Sequence, residues 1–299
     1  MASVIVFYFS SNINELPFAE TSYNDSYKRL VFLAKSDDLD IRFVFGKKNY
    51  KKGKFLSYWK FEDDTLIFNE AVFNADLVCP QTREHPEFEK RINGPVLEVI
   101  ARDKYLTAKT FPDFVKKTVL ITGEGLKELE NLKGNLLVIK PRYGALGENI
   151  QVLNKEGYRR DSYPGNDYIA QELINSDEGI PGIIKSRHEL RLFIFNGVTK
   201  AGYLRIPAKN SYLSNISQGA TEKQIDISSL PESITELKNI IDNKFININP
   251  RLYTIDVMFE NGEPWVVELN DMPGMPDISV QPLTDDFLRA MLDMFDQSV

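Results

Sequence analysis

Three stretches of this chain combine residue types and spacings that could do chemistry. In Val138-Ile139-Lys140-Pro141 a lysine leaves the end of an apolar strand and enters a loop holding Gly144 and Gly147. Glycines let backbone N–H groups approach a phosphate, and a lysine adds a positive point charge. The competing reading is a strand-edge lysine followed by an ordinary turn. In the run WVVELN, Glu268 and Asn270 lie two apart, so they share one face of a strand. Asp256 lies on the preceding strand among apolar neighbours, where a carboxylate is costly without a cation. Oxygen donors converging from two paired strands make a hard-cation site, and Mg2+ with phosphate oxygens fits them. The competing reading is polar residues facing solvent on an edge hairpin. Arg191 and Arg205 stand on the two arms of one hairpin, able to hold an anion or to form a surface cross-strand arrangement.

These residues need elements to position them. Strand-like runs over 4–9, 41–45 and 76–79, with helical spacing over 26–34, predict an open α/β sheet within residues 1–101. Lys47, Lys48, Lys51, Lys52 and Lys54 read as a solvated hairpin or loop. A second unit, 102–174, opens with a helix whose N-cap is Asp103 and whose length Pro112 limits. Strands follow over 118–121, 135–141, 148–154 and 167–173, with a helix over 123–134. The third unit, 175–299, holds two hairpins around Asn196-Gly197 and Asn261-Gly262 and helices over 233–243 and 284–295.

Composition narrows the chemistry. The 299 residues are 42% hydrophobic and 26% charged, as in a folded domain with a sizeable core. A net charge of −7 argues against a protein held on nucleic acid by bulk charge. The single cysteine, Cys79, excludes an internal disulfide or a cysteine-cluster metal site. Two histidines, His85 and His188, leave little for a histidine metal centre or triad. Walker-type, dinucleotide-fingerprint, nucleophile-elbow and zincin motifs are all missing. No apolar run approaches the roughly 20 residues that span a bilayer. The N-terminal run reads as a first strand rather than a signal peptide, so the expectation is a cytoplasmic protein acting without membrane or nucleic acid.

Taken in order, the motifs resemble the ATP-grasp ligases over about residues 102–278. They are D-K-x-x-T at 103, V-I-K-P at 138, Q-E-L-I at 171 and E-L-R-L-F-I-F-N-G at 189. Y-L-R-I-P at 203, S-N-I-S-Q-G at 214, I-D-V at 255 and V-E-L-N-D-M-P-G at 267 complete the series. The chain is most similar to bacterial-type glutathione synthetase and the ribosomal-protein glutamate ligases. The resemblance implies an ATP-grasp fold of α/β class, with α+β lobes and an N-terminal open-sheet pre-grasp lobe. It implies that Lys104 and Lys140 meet the phosphates of ATP beneath a flap at Gly144 and Gly147. Glu172 and Leu173 would form the hinge at the adenine edge, and Asp177 or Glu178 would reach the ribose. Asp256, Glu268 and Asn270 would carry Mg2+, with Mn2+ as an alternative. Arg191 and Arg205 would stabilise an acyl phosphate beside Asn215. The implied reaction joins a small-molecule or peptide carboxylate to an amine, in a monomer or homo-oligomer. An ATP-grasp kinase and a non-catalytic ATP-binding module are the alternatives.

Overall fold

The computed structural model describes residues 2–11, 18–121, 129–144, 148–158, 163, 167–209, 211–214 and 219–299. The first part of the chain builds β1 (Ser3–Phe9), α1 (Thr21–Ala34), β2 (Leu39–Phe45) and the short hairpin β3 (Tyr50–Lys51) and β4 (Lys54–Phe55). It continues with β5 (Tyr58–Glu62), β6 (Thr65–Asn69) and β7 (Leu77–Pro80). Five strands form one sheet in the order β6-β5-β2-β1-β7, with β1 parallel to both β2 and β7. This is the expected open α/β sheet, and the lysine cluster does lie on an exposed hairpin. The β5–β6 hairpin and α2 (Pro95–Arg102) were not expected from the sequence. Most of β6 is solvent-exposed, so no apolar alternation marks it. The helix α2 starts on Gly94-Pro95, where proline at the first helical turn costs no hydrogen bond.

A sharp break at Asp103 separates α2 from α3 (Lys104–Thr110). The Asp103 carboxylate accepts the backbone N–H groups of Tyr105 and Leu106 at 3.0 and 3.2 Å, the cap the sequence calls for. The middle sheet follows: β8 (Thr118–Leu120), β9 (Leu136–Pro141), β10 (Gln151–Asn154) and β11 (Tyr168–Glu172), in the antiparallel order β10-β9-β11-β8. Strand β9 turns Leu137 and Ile139 into a core shared with Val119, Leu129 and Leu132, so Val138 and Lys140 face the other way. Most of the helix expected over 123–134 lies outside the described residues.

The last sheet contains β12 (Glu189–Phe195), β13 (Val198–Ile206), β14 (Thr221–Gln224), β15 (Leu252–Glu260) and β16 (Glu263–Asn270), in the order β14-β13-β12-β15-β16. Both expected turns hold: Asn196 and Asn261 have φ of 46° and 55°, and Gly197 and Gly262 follow with φ of 86° and 80°. One face of this sheet, with Leu190, Leu192, Ile255 and Val257, packs on Ile234, Leu237 and Ile241 of α4 (Glu232–Asn243). The opposite face is divided. At one end Phe193, Phe195 and Leu252 join Phe287 of α5 (Leu283–Asp296) in a core that continues into Ile5, Phe7 and Phe43 of the first sheet. At the other end the same face carries Glu189, Arg191, Arg205, Asp256 and Glu268. Sequence alternation along four adjacent strands therefore sets a charged patch opposite Val138 and Lys140 of the middle sheet.

Candidate functional site

Between the middle and last sheets lie two adjoining cavities. The larger, about 460 Å³, is lined by Lys104, Lys140, Gly144, Glu148, Arg205 and Glu268, among others. The smaller, about 80 Å³, is largely apolar, with Val138, Val152, Leu173, Ile174, Leu213 and Met258 in its wall. Lys140, Ile150, Glu189 and Val267 border both.

Lys140 points from the end of β9 into this junction and is only 3% exposed. Its Nζ donates to the Val267 carbonyl at 3.2 Å. Burial pushes its pKa down to about 8, with the nearby Lys104 adding to the fall and Glu268 opposing it. Lys104 opens α3 and donates to the Gly144 carbonyl at 2.7 Å, while its Nζ stands 3.6 Å from Glu268. Gly144 has φ of +127°, a region that favours glycine, so the turn after β9 depends on it. Gly147 lies outside the described residues.

Asp256 is 1% exposed, and where the sequence pattern points to Mg2+ the cation the structure sets beside it is Arg191. The two are directly paired across β12 and β15, and the guanidinium makes a two-bond contact, with Nε at 2.7 Å from Oδ1. Burial disfavours charge on Arg191, but Asp256 outweighs it and holds the pKa well above the ordinary arginine value. Glu268 faces Asp256 across β15 and β16, 3.8 Å from Arg191, and opens to the larger cavity. Asn270 lies one turn of the pleat further on, where its Oδ1 accepts the Met272 N–H at 3.0 Å. It lines neither cavity. Among the described residues no three His, Cys, Asp or Glu side chains are grouped to hold a metal. Asp256, Glu268 and Asn270 are nevertheless an all-oxygen set on one sheet face, and that donor chemistry suits Mg2+.

Arg205 donates to the Tyr203 hydroxyl and to Glu189 Oε1, both at 2.9 Å, and reaches to 4.0 Å from Asp256. The two arginines are thus brought together at one end of the hairpin. Glu189 was not singled out by the sequence reading. It is 7% exposed, and burial together with the charge of Asp256 pushes its carboxyl pKa up. The available signal was its place two residues before Arg191, which puts both on one face.

At the smaller cavity the segment Gln171–Ile174 supplies one wall. The Glu172 side chain is turned to the Lys133 N–H at 2.6 Å, leaving Leu173 in the apolar lining. Asp177 is held by Arg187, which also lies 3.8 Å above the Tyr212 ring. Glu178 is exposed and lines neither cavity. Asn215 lies outside the described residues.

The architecture matches solved structures end to end. D-alanine–D-alanine ligase from Bacillus anthracis, complexed with ATP, superposes with a TM-score of 0.63 at 14% identity, covering 100% of this chain and 97% of that one. D-alanyl-alanine synthetase A from Vibrio cholerae O1 biovar eltor gives 0.63 at 14%, with 100% and 99% covered. The ATP-grasp ligase PsnB, complexed with minimal precursor, Mg and ADP, gives 0.61 at 11%, with 99% and 97% covered. No family model matches the chain, and no curated protein matches its sequence. The chain has the ATP-grasp fold; these neighbours do not single out glutathione synthetase.

Proposed function

We propose that this protein is an ATP-dependent carboxylate–amine ligase that works through an acyl phosphate. The observation that carries the reading is the pair of joined cavities, one apolar and one holding two lysines, both arranged along the cleft of an ATP-grasp fold. The adenine would enter the smaller cavity, between Val138 and Val152 on one side and Met258 and Leu213 on the other. Its edge would meet the backbone at Glu172 and Leu173. The phosphates would then reach Lys104 and Lys140, with the Gly144 turn over them. Asp256, Glu268 and Asn270 would hold Mg2+, which when bound supplies charge stabilisation to phosphoryl oxygens. Asp177 or Glu178 would reach the ribose; neither lines a cavity, and Asp177 is paired with Arg187, which does.

The acid substrate would attack the γ-phosphate, forming a C–O–P linkage and releasing ADP. An amine would then attack the carbonyl carbon, form the amide and release phosphate. Arg205 and Arg191 would meet the anionic intermediate, and their planar donors suit it better than ammonium groups would. Asn215 belongs to the same proposal. No side-chain nucleophile is required, in keeping with a chain that has one buried cysteine. Residues 102–174 and 175–299 would be the two grasping lobes, and 1–101 the lobe that helps select the acceptor. Small-molecule or peptide acids and amines are the substrates that suit this chemistry.

The test is a phosphate-release screen with ATP, Mg2+ and matrices of amino acids and dipeptides, with products weighed by mass spectrometry. The expected product is an amide formed with one ADP and one phosphate. A phosphorylated small molecule without amide would make the protein a kinase. Nucleotide binding without turnover across the whole matrix would make it a binding module.

A further inference from the structure

The strands of the middle sheet all come from residues 118–172, so the backbone enters that sheet once and leaves it once. One carboxylate touches both crossings. Glu260, the last residue of β15, accepts through Oε2 from the Lys116 ammonium, two residues before β8. Through Oε1 it accepts from the Asn175 N–H at 2.7 Å, three residues after β11. Lys116 is held a second time, with its Nζ 3.8 Å over the Trp265 ring of β16. The entering chain is also stitched to β16, where the Val266 N–H donates to the Phe114 carbonyl at 2.8 Å. The tip of the β15–β16 hairpin is therefore where the last sheet grips both ends of the middle one.

The same node adjoins the smaller cavity. Leu173 and Ile174, which immediately precede Asn175, belong to its wall. So does Met258, which shares a strand face with Glu260. Glu260 itself does not line the cavity, yet it ties one part of the wall to another. A partly exposed ion pair contributes little to stability, so folding is a weak reason for this contact. What a carboxylate with two donors does supply is geometry, because it fixes both crossings against one hairpin. We propose that Glu260 is a positioning residue for nucleotide binding, a pivot that holds the middle sheet at the angle where the cavity walls and the two lysines line up. This rests on the reading of that cavity as the nucleobase site. With the pivot in place the cavity is formed before ATP arrives, and without it part of the binding energy goes into ordering the two sheets.

The experiment reads the spacing of the two sheets directly. Cys79 is buried, and burial pushes its thiol pKa up to about 12, so spin labels can be confined to two introduced cysteines. Asn154→Cys at the end of β10 and Asn239→Cys on α4 are both exposed positions. Electron–electron double resonance between them is measured beside direct titration with ATP, in the wild type, Glu260→Gln, Lys116→Met and the double variant. Each single change is expected to broaden the distance distribution of the free protein, and saturating ADP with Mg2+ is expected to narrow it again. ATP affinity is expected to fall at least about fivefold, as it would if the competent arrangement dropped to about a fifth of the population. The double variant is expected to bind no more weakly than the weaker single one, because both changes break the same contact. A distribution as narrow as that of the wild type, or a broadened one with a smaller loss of affinity, overturns the proposal while leaving the ligase reading intact. Weaker ATP binding with an unchanged distribution would make Glu260 part of the cavity wall and overturn it too, as would losses that multiply in the double variant. If Glu260→Gln does not fold, Lys116→Met carries the test by the same two measurements. A wild-type protein that binds no ATP overturns the nucleotide reading of the cavity, and this proposal with it.

Discussion

Lys140 concentrates the physics of the site in one side chain. Burial lowers its pKa to about 8, so its ammonium form dominates below that pH and is lost above it. A phosphate favours the ammonium form, so ATP affinity is expected to fall as pH rises through about 8, and binding there should take up a proton. Calorimetric titrations in two buffers of different ionisation enthalpy would reveal the uptake. Equal heats, with an affinity flat from roughly pH 7 to 9, would mean that Lys140 is charged before the nucleotide arrives. Lys140 was legible in the sequence because a lysine ending an apolar strand has few ordinary reasons to be there. Glu189 was not, because a carboxylate at the head of a strand reads as a solvent-facing start until the neighbouring strands are known. Asp256 was half legible. Its need for a cation followed from its apolar neighbours, but the two-bond contact with Arg191 depends on a register that only the folded sheet defines.

Among the elements, the β12–β13 hairpin does more than reverse the chain. Its tip lies on a buried group in which Arg251 makes a two-bond contact with Asp242, and the Tyr253 hydroxyl donates to the same carboxylate at 2.9 Å. A Cβ added at Gly197 would stand 2.5 Å from Asp242 and 2.7 Å from Arg251, on a backbone with φ of +86°. Gly197→Ala is therefore expected to destabilise the protein by about 2 kcal/mol, combining backbone strain with a disturbed buried ion pair. Chemical denaturation would measure it, and a change below about 0.5 kcal/mol would show that the tip yields freely. The turn type was readable from Asn-Gly, but the ion pair beneath it was not, since Asp242 comes from a helix end and Arg251 from the residue just before a later strand. The β5–β6 hairpin escaped notice for a different reason. Its turn is Asp63-Asp64, with Asp63 at φ of 52°, and its edge strand buries too little to impose a pattern.

In the whole molecule, the parts are unequally joined. Asn93 is buried between the first and last sheets, with its amide donating to the carbonyls of Leu252 and Asp271 at 2.8 and 2.7 Å and accepting the Leu252 N–H at 2.9 Å. Arg102 adds an ion pair to Asp271 at 2.9 Å. The apolar core there is continuous, running from β1 through α5 to β12. The middle sheet instead has a separate core of its own. Hydrogen exchange is expected to show amides of β9 and β11 opening more readily than those of β1 and β15, and slowing when ATP is added. Uniform exchange across all four strands would contradict that division. The succession of three larger sheets was readable from strand and helix order, whereas the shared core of the first and last sheets depends on Asn93 and on aromatic packing between residues far apart in sequence.

That unequal joining makes the protein a vice with one fixed jaw. Arg191, Arg205, Asp256 and Glu268 stand on the fixed jaw, and the helix that begins at Lys104 shares its core with the same jaw through Ala108 and Phe111. Lys140 and the Gly144 turn stand on the other. A triphosphate gripped by Lys104 and Lys140 together would act as the bolt between them, and releasing ADP would withdraw it. The anvil on which acid and amine meet would keep its shape through every turnover, while the opposing jaw takes up the motion.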